Sequence, residues 1–392
     1  MNSLKVGRVT VAVGLVAFGV GMLLDNLNLY EGAIAMMAKL WPLLLIGYGI
    51  EYMVQSIINH RSGEDRRIRW DVGGGILLIV IVLLSVGITS FRTYVLPEGG
   101  NIGLNIGPSE SRAETKQVAL GNAKELVADV RVGSVSLRPN VNSNEVKVEA
   151  TYTINGLIVD RDAIRQMLDE MELQISEGDT IRITTDVPNR LNNVSIAYVI
   201  YAPEGLKVRA QTGTGRIDVT GYKGDLQLTS NVGRIEVNAG KGTLVASSGS
   251  GYVGVQGFEG PVEAKTNVGS VNVRDTVGTL QLESRTGSID VHEYHGGALV
   301  AETGTGRISV DTNVILDGNV SLKTQTGSIN LTIPKESSVR ATVQTRTGSV
   351  TTPDFMSVSR NGTASSASGT WRDGQFTVTL EASTGGVHFA TK

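Results

Sequence analysis

Four titratable side chains cluster in one short segment of the sequence, at Asp290, His292, Glu293 and His295. Two histidines three residues apart can hold a metal when both rings lie on one face of a helix. On a strand and its turn, the same spacing directs the rings to different sides. The segment therefore predicts no metal site. The chain also has no cysteine, which excludes a disulfide, a thiolate metal site and a cysteine nucleophile.

Two acidic residues, Asp218 and Glu236, are the remaining candidates for acid–base chemistry. Carbohydrate-cleaving β-helices use carboxylates that cluster on one outer face. Here Arg216 and Arg234 each stand two positions before an acid, which indicates paired surface charges. No phosphate loop, nucleophile elbow or histidine triad is present in the sequence. We predict a non-enzymatic protein without a cofactor and assign Arg216, Arg234 and Arg307 to a candidate partner surface.

An aromatic series recurs at a constant interval, at Tyr222, Phe258 and Tyr294. Rings on an outer corner could stack on the sugars of a linear glycan. They could equally fold over the corners and seal the core. Both interpretations stay open, and the three residues join the arginines as a candidate glycan or partner surface.

These residues belong to a glycine repeat. One series of glycines recurs at a constant interval, at Gly215, Gly233, Gly251, Gly269 and Gly287, and a second series runs at the same interval from Gly224 to Gly296. The motif continues less regularly at Gly306, Gly327, Gly348 and Gly385. Between the glycines, aliphatic or small residues alternate with polar ones, which predicts two short strands per repeat. We predict an all-β solenoid, a single-stranded β-helix with about 18 residues per rung.

The corners and the C-terminal end can be predicted in more detail. The position two before each repeat glycine is mostly glycine or asparagine, the residues that adopt a left-handed backbone most readily, so we expect a sharp corner there. The Ser/Gly/Thr-rich excursion Ser359–Thr370 predicts a loop that leaves its rung. The last rung, Gly385–Phe389, has no obvious cap.

A segment that does not repeat follows the first strand pair, Leu126–Val130 and Ser134–Leu137. Alternation predicts strands over Glu145–Ile154, Thr180–Asp186 and Val194–Tyr201. A helix is predicted over Arg161–Leu173, with Asp160 as its N-cap and an apolar stripe that covers the first rung. The preceding stretch, Leu96–Lys124, is rich in Pro, Gly and Ser and predicts a spacer.

Three apolar stretches, Val9–Leu24, Ala33–Ile58 and Val72–Phe91, each approach the roughly 20 residues that a membrane-spanning helix needs. A cleavable signal peptide is the alternative for the first stretch. Lysines and arginines precede the first span and crowd the loop before the third, so both segments are predicted to be cytoplasmic. Everything after about Phe91 is then extracytoplasmic. Glu51, inside the second stretch, is either a functional group or a side chain that snorkels to the inner interface.

The predicted domains follow from these boundaries. They are a three-helix transmembrane anchor at 1–95, an extracytoplasmic linker at 96–124 and a β-solenoid domain at 125–392. Within the solenoid we expect a strand–helix insertion at 138–205, regular rungs at 206–310 and irregular rungs at 311–392.

Two segments resemble known modules. The rung Leu280–Val291, LQLESRTGSIDV, resembles the bacterial putative-adhesin domain of unknown function, a β-helical family. The stretch Leu40–Glu51, LWPLLLIGYGIE, resembles the LiaI/LiaF-type transmembrane region of Gram-positive envelope-stress proteins. The resemblance implies a right-handed solenoid and a role in the cell envelope, in sensing or answering cell-wall-active antibiotics. A third span departs from the usual pattern of the family.

Several functions are consistent with this sequence. The first is a scaffold or regulator that contacts a membrane or envelope protein, or itself through the ends of the solenoid. The second is a cell-wall polysaccharide-binding or adhesin module. A cytoplasmic, polymerising scaffold like bactofilin is a third. A formal net charge of −3 argues against a nucleic-acid partner.

Overall fold

The computed structural model describes most of the chain after residue 108 and short pieces before it. The described residues are 4–6, 12–13, 16, 20, 49–51, 53–54, 68–70 and 109–392, except 142, 156–160 and 189–193. The chain forms two compact units, Met1–Glu110 with Asn155–Arg165, and Ser111–Ile154 with Gln166–Lys392. The glycine repeat lies in the second unit.

The first unit contains a short parallel strand pair, β1 (Leu4–Val6) and β2 (Ile68–Trp70), in which Lys5 is opposite Arg69. The predicted span Val72–Phe91 lies outside the described residues, and only scattered helical residues are described in the other two spans. Among the residues that the structure covers, no helix has the length and apolar character to cross a bilayer. Glu51 is helical and half-buried.

The described part of residues 109–392 is almost entirely β-strand, with one helix, α1 (Arg161–Asp169). The strands before the repeat are β3 (Ser109–Ala119), β4 (Glu125–Pro139), β5 (Glu145–Asn155), β6 (Glu172–Ser176), β7 (Thr180–Asp186) and β8 (Val194–Ala202). The strands of the repeat are β9 (Lys207–Lys223), β10 (Leu226–Lys241), β11 (Leu244–Glu259), β12 (Val262–Val277), β13 (Leu280–Thr286), β14 (Ile289–His295), β15 (Leu299–Thr305), β16 (Ile308–Asp311), β17 (Val320–Thr326), β18 (Ile329–Ile333), β19 (Val339–Thr347), β20 (Val350–Thr351), β21 (Ser357–Asn361), β22 (Ala364–Trp371), β23 (Phe376–Thr384) and β24 (Val387–Thr391).

Except for β21 and β22, the repeat strands stack in parallel and in register. Val208 pairs with Leu226, which pairs with Leu244, so each of these rungs advances the chain by the same step. The step is slightly longer between Leu280 and Leu299, and longer again between Leu299 and Val320. Equivalent residues of neighbouring rungs still pair, because the extra residues lie in the loops between the strands. The predicted all-β solenoid is thereby confirmed.

The core of the solenoid is formed by the inward-facing aliphatic side chains of the two strand segments of each rung. Leu226, Leu228, Ile235 and Val237 are all buried, and their counterparts in the neighbouring rungs are buried as well. Alternation places the polar residues between them outward. This burial of apolar area is the main stabilising contribution of each rung.

Two features require glycine at the corner of each rung: the positive φ of the backbone, and the close approach of the corner glycine in the adjacent rung. Gly233 has φ +145°, a region that side-chain-bearing residues rarely adopt, and a Cβ atom there would lie 1.8 Å from the carbonyl oxygen of Gly215. The same φ range recurs down a column of corner glycines. In stacking order they are Gly133, Gly215, Gly233, Gly251, Gly269, Gly287, Gly306, Gly327, Gly385 and Gly348.

The predicted left-handed backbone two positions earlier is wrong. Neither Asn231 nor Asn267 has a positive φ, and both residues are exposed. Small residues suit that position for a different reason. A Cβ atom on Gly249 would lie 2.5 Å from the carbonyl oxygen of Asn231 in the preceding rung. Close backbone approach, rather than a left-handed turn, favours glycine there.

A column of buried hydroxyl groups accompanies the corner glycines. The Ser248 hydroxyl donates a hydrogen bond to the carbonyl oxygen of Gly233 in the preceding rung, at 3.3 Å. Ser284, Thr303, Thr324 and Thr345 donate in the same way, at 3.1, 3.2, 3.4 and 2.9 Å. These bonds give five corner carbonyls a hydrogen-bond donor, whereas the equivalent hydroxyls of Ser230 and Thr266 are buried without a partner.

The order of the last rungs in space differs from their order in the chain. β23 pairs in parallel with both β17 and β19, through Val320–Val378 and Ala341–Val378. The C-terminal rung therefore lies between two rungs that precede it in sequence. The expectation that the chain ends on an uncapped final rung is wrong, because the terminal position in the stack belongs to β19 and β20.

The excursion Ser359–Thr370 is also not a loop. β21 and β22 form an antiparallel hairpin, and β22 pairs antiparallel with β19 from Val339–Trp371 to Thr345–Ser365. The Ser365 hydroxyl donates to the carbonyl oxygen of Gly348, as the hydroxyls of Ser248 and Ser284 do to the corner carbonyls of their neighbouring rungs. The small polar residues of this segment form strands because they pair with the edge strand β19 and do not need a hydrophobic core of their own.

At the opposite end of the stack, β7 and β8 pair in parallel with β4 on the side away from β9. Next in the stack, β5 pairs antiparallel with β8, and β6 pairs antiparallel with β7. The predicted strands of this segment are confirmed to within one residue at each end. The predicted helix is too long, because the chain already pairs as β6 from Glu172.

The predicted spacer is wrong for Ser109–Ala119, which forms β3 and pairs with β5. Its residues alternate between exposed and half-buried, so no apolar periodicity revealed the strand. Arg112 donates to the carbonyl oxygens of Leu168 and Met171, at 3.0 and 2.6 Å, and so satisfies backbone acceptors at the end of α1. Burial raises the pKa of Glu114, but hydrogen bonds from Leu173 and Tyr152 and the charge of Lys116 outweigh it, so the net pKa is lowered.

We expect Gly233→Ala to lower the free energy of unfolding by about 4 kcal/mol or more, because left-handed strain adds to a clash with a backbone carbonyl. Gly205→Ala is the matched control. Gly205 also has positive φ, but its missing Cβ would face open space, so only the strain of about 1–2 kcal/mol remains. Urea unfolding of the purified protein compares the two, and equal losses would contradict the stacking argument.

Deleting Phe376–Lys392 is expected to destabilise more than one rung, because this segment lies between β17 and β19. Residues 335–372 should become sensitive to limited proteolysis while residues 207–333 stay resistant. Mass spectrometry of the fragments identifies the cut sites. A chain that lacks only Lys392 is the control, and protection of residues 335–372 in the longer deletion would show that the order of the rungs is wrong.

Candidate functional site

The outward residues at the first and third positions after the six corner glycines from Gly215 to Gly306 form one continuous surface, here called the polar face. Its members are Arg216, Asp218, Arg234, Glu236, Tyr252, Gly254, Ser270, Asn272, Ser288, Asp290, Arg307 and Ser309. Parallel pairing in register puts equivalent side chains about 4.8 Å apart. The sequence predicted this alternation, and the structure adds which neighbours interact.

One end of the polar face is an ion network. Arg216 contacts Asp218 at 2.7 Å and Glu236 at 2.6 Å, and Arg234 contacts the other oxygen of Glu236 at 3.0 Å. Burial opposes the charged form of Arg216, but the hydrogen bonds and charges of Asp218 and Glu236 outweigh it and raise its pKa. Because the arginines are more than two-fifths exposed, the network contributes little stability. Its charges are paired, as predicted for these positions.

Tyr252 leans toward Gly254 on the polar face. A Cβ atom on Gly254 would lie 2.6 Å from Cε1 of the ring and 2.9 Å from its hydroxyl oxygen. The backbone of Gly254 is not left-handed, so the backbone geometry that requires glycine at the corners does not explain this glycine. The absent side chain is what leaves room for the ring.

Charged and amide groups surround the Tyr252 ring. Gly254, at the edge of the ring, pairs with Glu236 in one neighbouring rung and with Asn272 in the other. The guanidinium carbon of Arg234 lies 5.0 Å from the ring centroid. Burial raises the pKa of Tyr252, Glu236 and Asp290 raise it further, and Arg234 and Arg274 oppose them.

The other end of the polar face carries hydrogen bonds from a serine hydroxyl. The Ser288 hydroxyl donates to Ser270 and to Asp290, both at 3.2 Å. Arg307 is exposed. His292 stands opposite Arg274 in the neighbouring rung, and no group of three His, Cys, Asp or Glu residues in the described part of the chain is arranged to hold a metal ion.

The aromatic series does not belong to the polar face. The side chains of Tyr222, Phe258 and Tyr294 are 0%, 0% and 2% exposed, so none of them can stack on a glycan. Their assignment to a glycan surface is therefore wrong. The Tyr222 hydroxyl donates to the carbonyl oxygens of Pro203 and Leu206, at 2.9 and 3.2 Å.

The alternation of large and small residues in this series has a steric cause. A Cβ atom on Gly240 would lie 3.0 Å from Cε2 of Phe258, the aromatic ring of the next rung. One ring thus fills space at its own rung and at its neighbour. A second aromatic at position 240 would not fit, and so rings occur at every second rung.

Sequence reasoning missed Tyr252 and Gly254 as a pair. The signal was present, because an aromatic occupies an outward position and glycine follows two residues later outside both glycine series. Period-two alternation places both residues on the same face. That pattern alone does not reveal whether the ring stands upright or lies over the glycine.

A cleft of about 500 Å³ lies at the distal end of the stack, beneath the hairpin of β21 and β22. Most of its lining residues are polar, among them Lys323, Glu381, Gln344, Ser366 and Ser359. The Gln344 amide donates to Glu381 at 2.8 Å. The cleft offers hydrogen bonds to a polar ligand but no aromatic surface.

Comparison with known families gives two matches. Residues 140–389 match the family described as Toastrack DUF4097, and residues 9–52 match the LiaI-LiaF-like transmembrane region. These matches confirm both resemblances read from the sequence. No curated protein sequence matches the chain.

Several solved structures are similar to the chain. A putative cell adhesion protein from Clostridium sporogenes is 15% identical over 72% of this chain and 100% of its own, with a TM-score of 0.24. A putative adhesin from Parabacteroides merdae is 12% identical over 72% and 97%, with a TM-score of 0.38. A putative lipid binding protein from Parabacteroides distasonis is 12% identical over 70% and 96%, with a TM-score of 0.35. These TM-scores are too low for the matches to bear on function.

Burial of the aromatic series predicts that Phe258→Ala lowers the free energy of unfolding by about 3–5 kcal/mol, since it opens a cavity at two rungs. Val268→Ala is the control, because Val268 is 55% exposed and its loss should change stability by about 0.5 kcal/mol or less. Denaturant unfolding measures both variants. Unchanged stability in Phe258→Ala would mean that the ring is not a core residue.

Proposed function

The chain belongs to the Toastrack DUF4097 family and is a membrane-anchored envelope protein, and from this premise we propose that its solenoid is a non-enzymatic scaffold or regulator. The solenoid contacts a membrane or envelope protein through its sides. It takes part in the response to envelope stress, including stress from cell-wall-active antibiotics. The stress role rests on the likeness of residues 9–52 to the LiaI-LiaF-like region.

The observation that carries this proposal is the closure of both ends of the stack by antiparallel strands. At one end, β22 covers β19 and leaves β21 as the edge, a strand of five exposed residues that includes Arg360. At the other end, β3 brings Arg112, Glu114 and Lys116 to the outermost position. Short or charged edge strands oppose pairing with another chain.

Closed ends favour the sides of the solenoid as its contact surfaces. Growth by stacking one solenoid on another requires an exposed, unprotected parallel edge, and the two terminal strands do not offer one. This argues against self-association through the ends and against a polymerising scaffold like bactofilin. It is consistent with a rod of fixed length that presents in-register side chains to a partner.

We further propose that three helices span the membrane within residues 1–95 and that the solenoid is extracytoplasmic. The parallel pairing of β1 with β2 supports this topology, because strands that share backbone hydrogen bonds must lie on the same side of the bilayer. Lys5 and Arg69 stand opposite each other in that pair. Basic residues are enriched in cytoplasmic segments, so this side is the cytoplasm.

Purification of the full-length protein from membranes tests the function. We expect an envelope protein to co-purify in stoichiometric amount with the full chain but not with a chain that ends after residue 108. Treatment of the cells with a cell-wall-active antibiotic should change the amount recovered, whereas a ribosome inhibitor should not. Equal recovery without the solenoid, or no partner at all, would contradict the scaffold role.

External protease on protoplasts gives the matching test of topology. A C-terminal tag should be removed from intact protoplasts, while a tag on a cytoplasmic control protein should survive. Survival of the C-terminal tag would place the solenoid in the cytoplasm and would favour the bactofilin-like alternative.

A further inference from the structure

The cleft beneath the hairpin of β21 and β22 is lined by a row of residues that crosses five strands. Lys323 of β17 pairs with Glu381 of β23, which pairs with Gln344 of β19. Gln344 pairs with Ser366 of β22, and Ser366 pairs with Ser359 of β21. All five residues line the cleft. The row exists because the C-terminal rung lies between β17 and β19, which brings residues from distant parts of the chain together.

The hairpin side of the cleft carries only small or short side chains. Ser359, Asn361, Ala364 and Ser366 line it, and all four are exposed or half-buried. The serine hydroxyls and the asparagine amide can each donate and accept hydrogen bonds. These residues therefore supply hydrogen-bonding groups without filling the space of about 500 Å³.

Two cationic side chains in the cleft have no partner. Lys323 and Arg346 both line it and both are exposed. Within the part of the chain that the structure describes, neither side chain makes a hydrogen bond or an ion pair. Arg216 and Arg234 on the polar face differ in this respect, because carboxylates neutralise them. The two cations of the cleft remain available to an anion.

Glu381 is the one carboxylate that lines the cleft. It accepts a hydrogen bond from the Gln344 amide at 2.8 Å, and it retains further acceptor positions. Glu302, the neighbour of Lys323 in the preceding rung, does not line the cleft. A carboxylate between two cations repels a bare anion but accepts hydrogen bonds from a ligand that also carries hydroxyl groups.

These features together define the class of ligand. The cleft has the volume of a small-molecule site, and two cations against one carboxylate give its lining a net positive charge. We propose that the cleft binds a hydroxylated anion, either a sugar acid or a polyol phosphate. The acidic oxygens contact Lys323 and Arg346, and the ligand's hydroxyls bond to Glu381, Ser359 and Ser366.

This site goes beyond the proposed scaffold role and does not depend on it. The cleft occupies only the distal end of the solenoid, so a partner protein can bind elsewhere along its sides. Recovery of a partner protein from membranes and binding of a small anion to the purified protein are separate measurements. Failure of one therefore does not imply failure of the other.

Calorimetry with the full-length protein in detergent tests the ligand class. The probes are digalacturonic acid, which carries carboxylates, and glycerophosphoglycerol, which carries a phosphodiester. At least one of them should bind at least about tenfold more tightly than inorganic phosphate or neutral maltose, which each lack one of the two required features. The probe that binds identifies the acidic group. Binding of neither probe, or equal binding of inorganic phosphate or maltose, would refute the proposal.

Two charge variants test the role of the cations. Lys323→Gln and Arg346→Gln should each weaken binding of the anionic probe by about fivefold or more, since each removes a charge-assisted hydrogen bond. Arg285→Gln is the matched control, because Arg285 is an exposed arginine that does not line the cleft. An equal loss in Arg285→Gln would show that the effect is general electrostatic attraction and not a site.

A steric variant tests the position of the ligand without a change of charge. Ser366→Phe should fill the cleft and weaken binding at least as much as Arg346→Gln does. Ser368→Phe is its control, because Ser368 lies two residues along the same strand, on the same face, and outside the lining. Both serines are exposed, and circular dichroism with limited proteolysis checks that the solenoid stays folded. Unchanged binding by folded Ser366→Phe would overturn the assignment of the ligand to this cleft.

Discussion

The close stacking of one corner glycine on the next is the constraint on which the rest of the solenoid depends. At Gly233 the backbone is left-handed, and the space that a side chain would need is occupied by the carbonyl group of Gly215. Buried hydroxyls such as Ser248 return a hydrogen bond to these carbonyls. Register is therefore fixed at the corner, whatever length of chain joins two rungs. This is why rungs of different length give the same alignment of side chains.

Tight stacking leaves a core only one or two side chains wide, and this limits where large residues can go. Rings such as Phe258 fill their own rung and the next, so their neighbours must be small. Aromatics inside the rung are consequently structural. The surfaces available for recognition are the outward ones, the polar face and the cleft beneath the hairpin, where side chains are not restricted by volume. Tyr252 is the exception to the charged character of the polar face, and the missing side chain of Gly254 leaves room for the edge of its ring.

Parallel stacking also creates a problem at each end, because an open rung exposes unpaired backbone groups. The chain solves it by changing strand direction. β22 pairs antiparallel with β19 at one end, and β5 and β6 pair antiparallel with β8 and β7 at the other. The C-terminal rung then lies inside the stack, between β17 and β19. Because the ends of the solenoid are closed, its sides are the surfaces open to a partner, which is the basis for the proposed scaffold or binding role.

The sequence by itself determined the period, the corner glycines, the inward-facing residues and the alternation that puts Arg216 and Glu236 outside, because local sterics and a two-residue period can be read from residue types. It also identified both families. Only the tertiary structure decided that Tyr222 is buried, that Tyr252 leans over the position of Gly254, and that the last rung stacks out of order. Those outcomes depend on which distant strands meet and on the space between rungs. No periodicity within one rung contains that information, since strand pairing joins residues far apart in the chain.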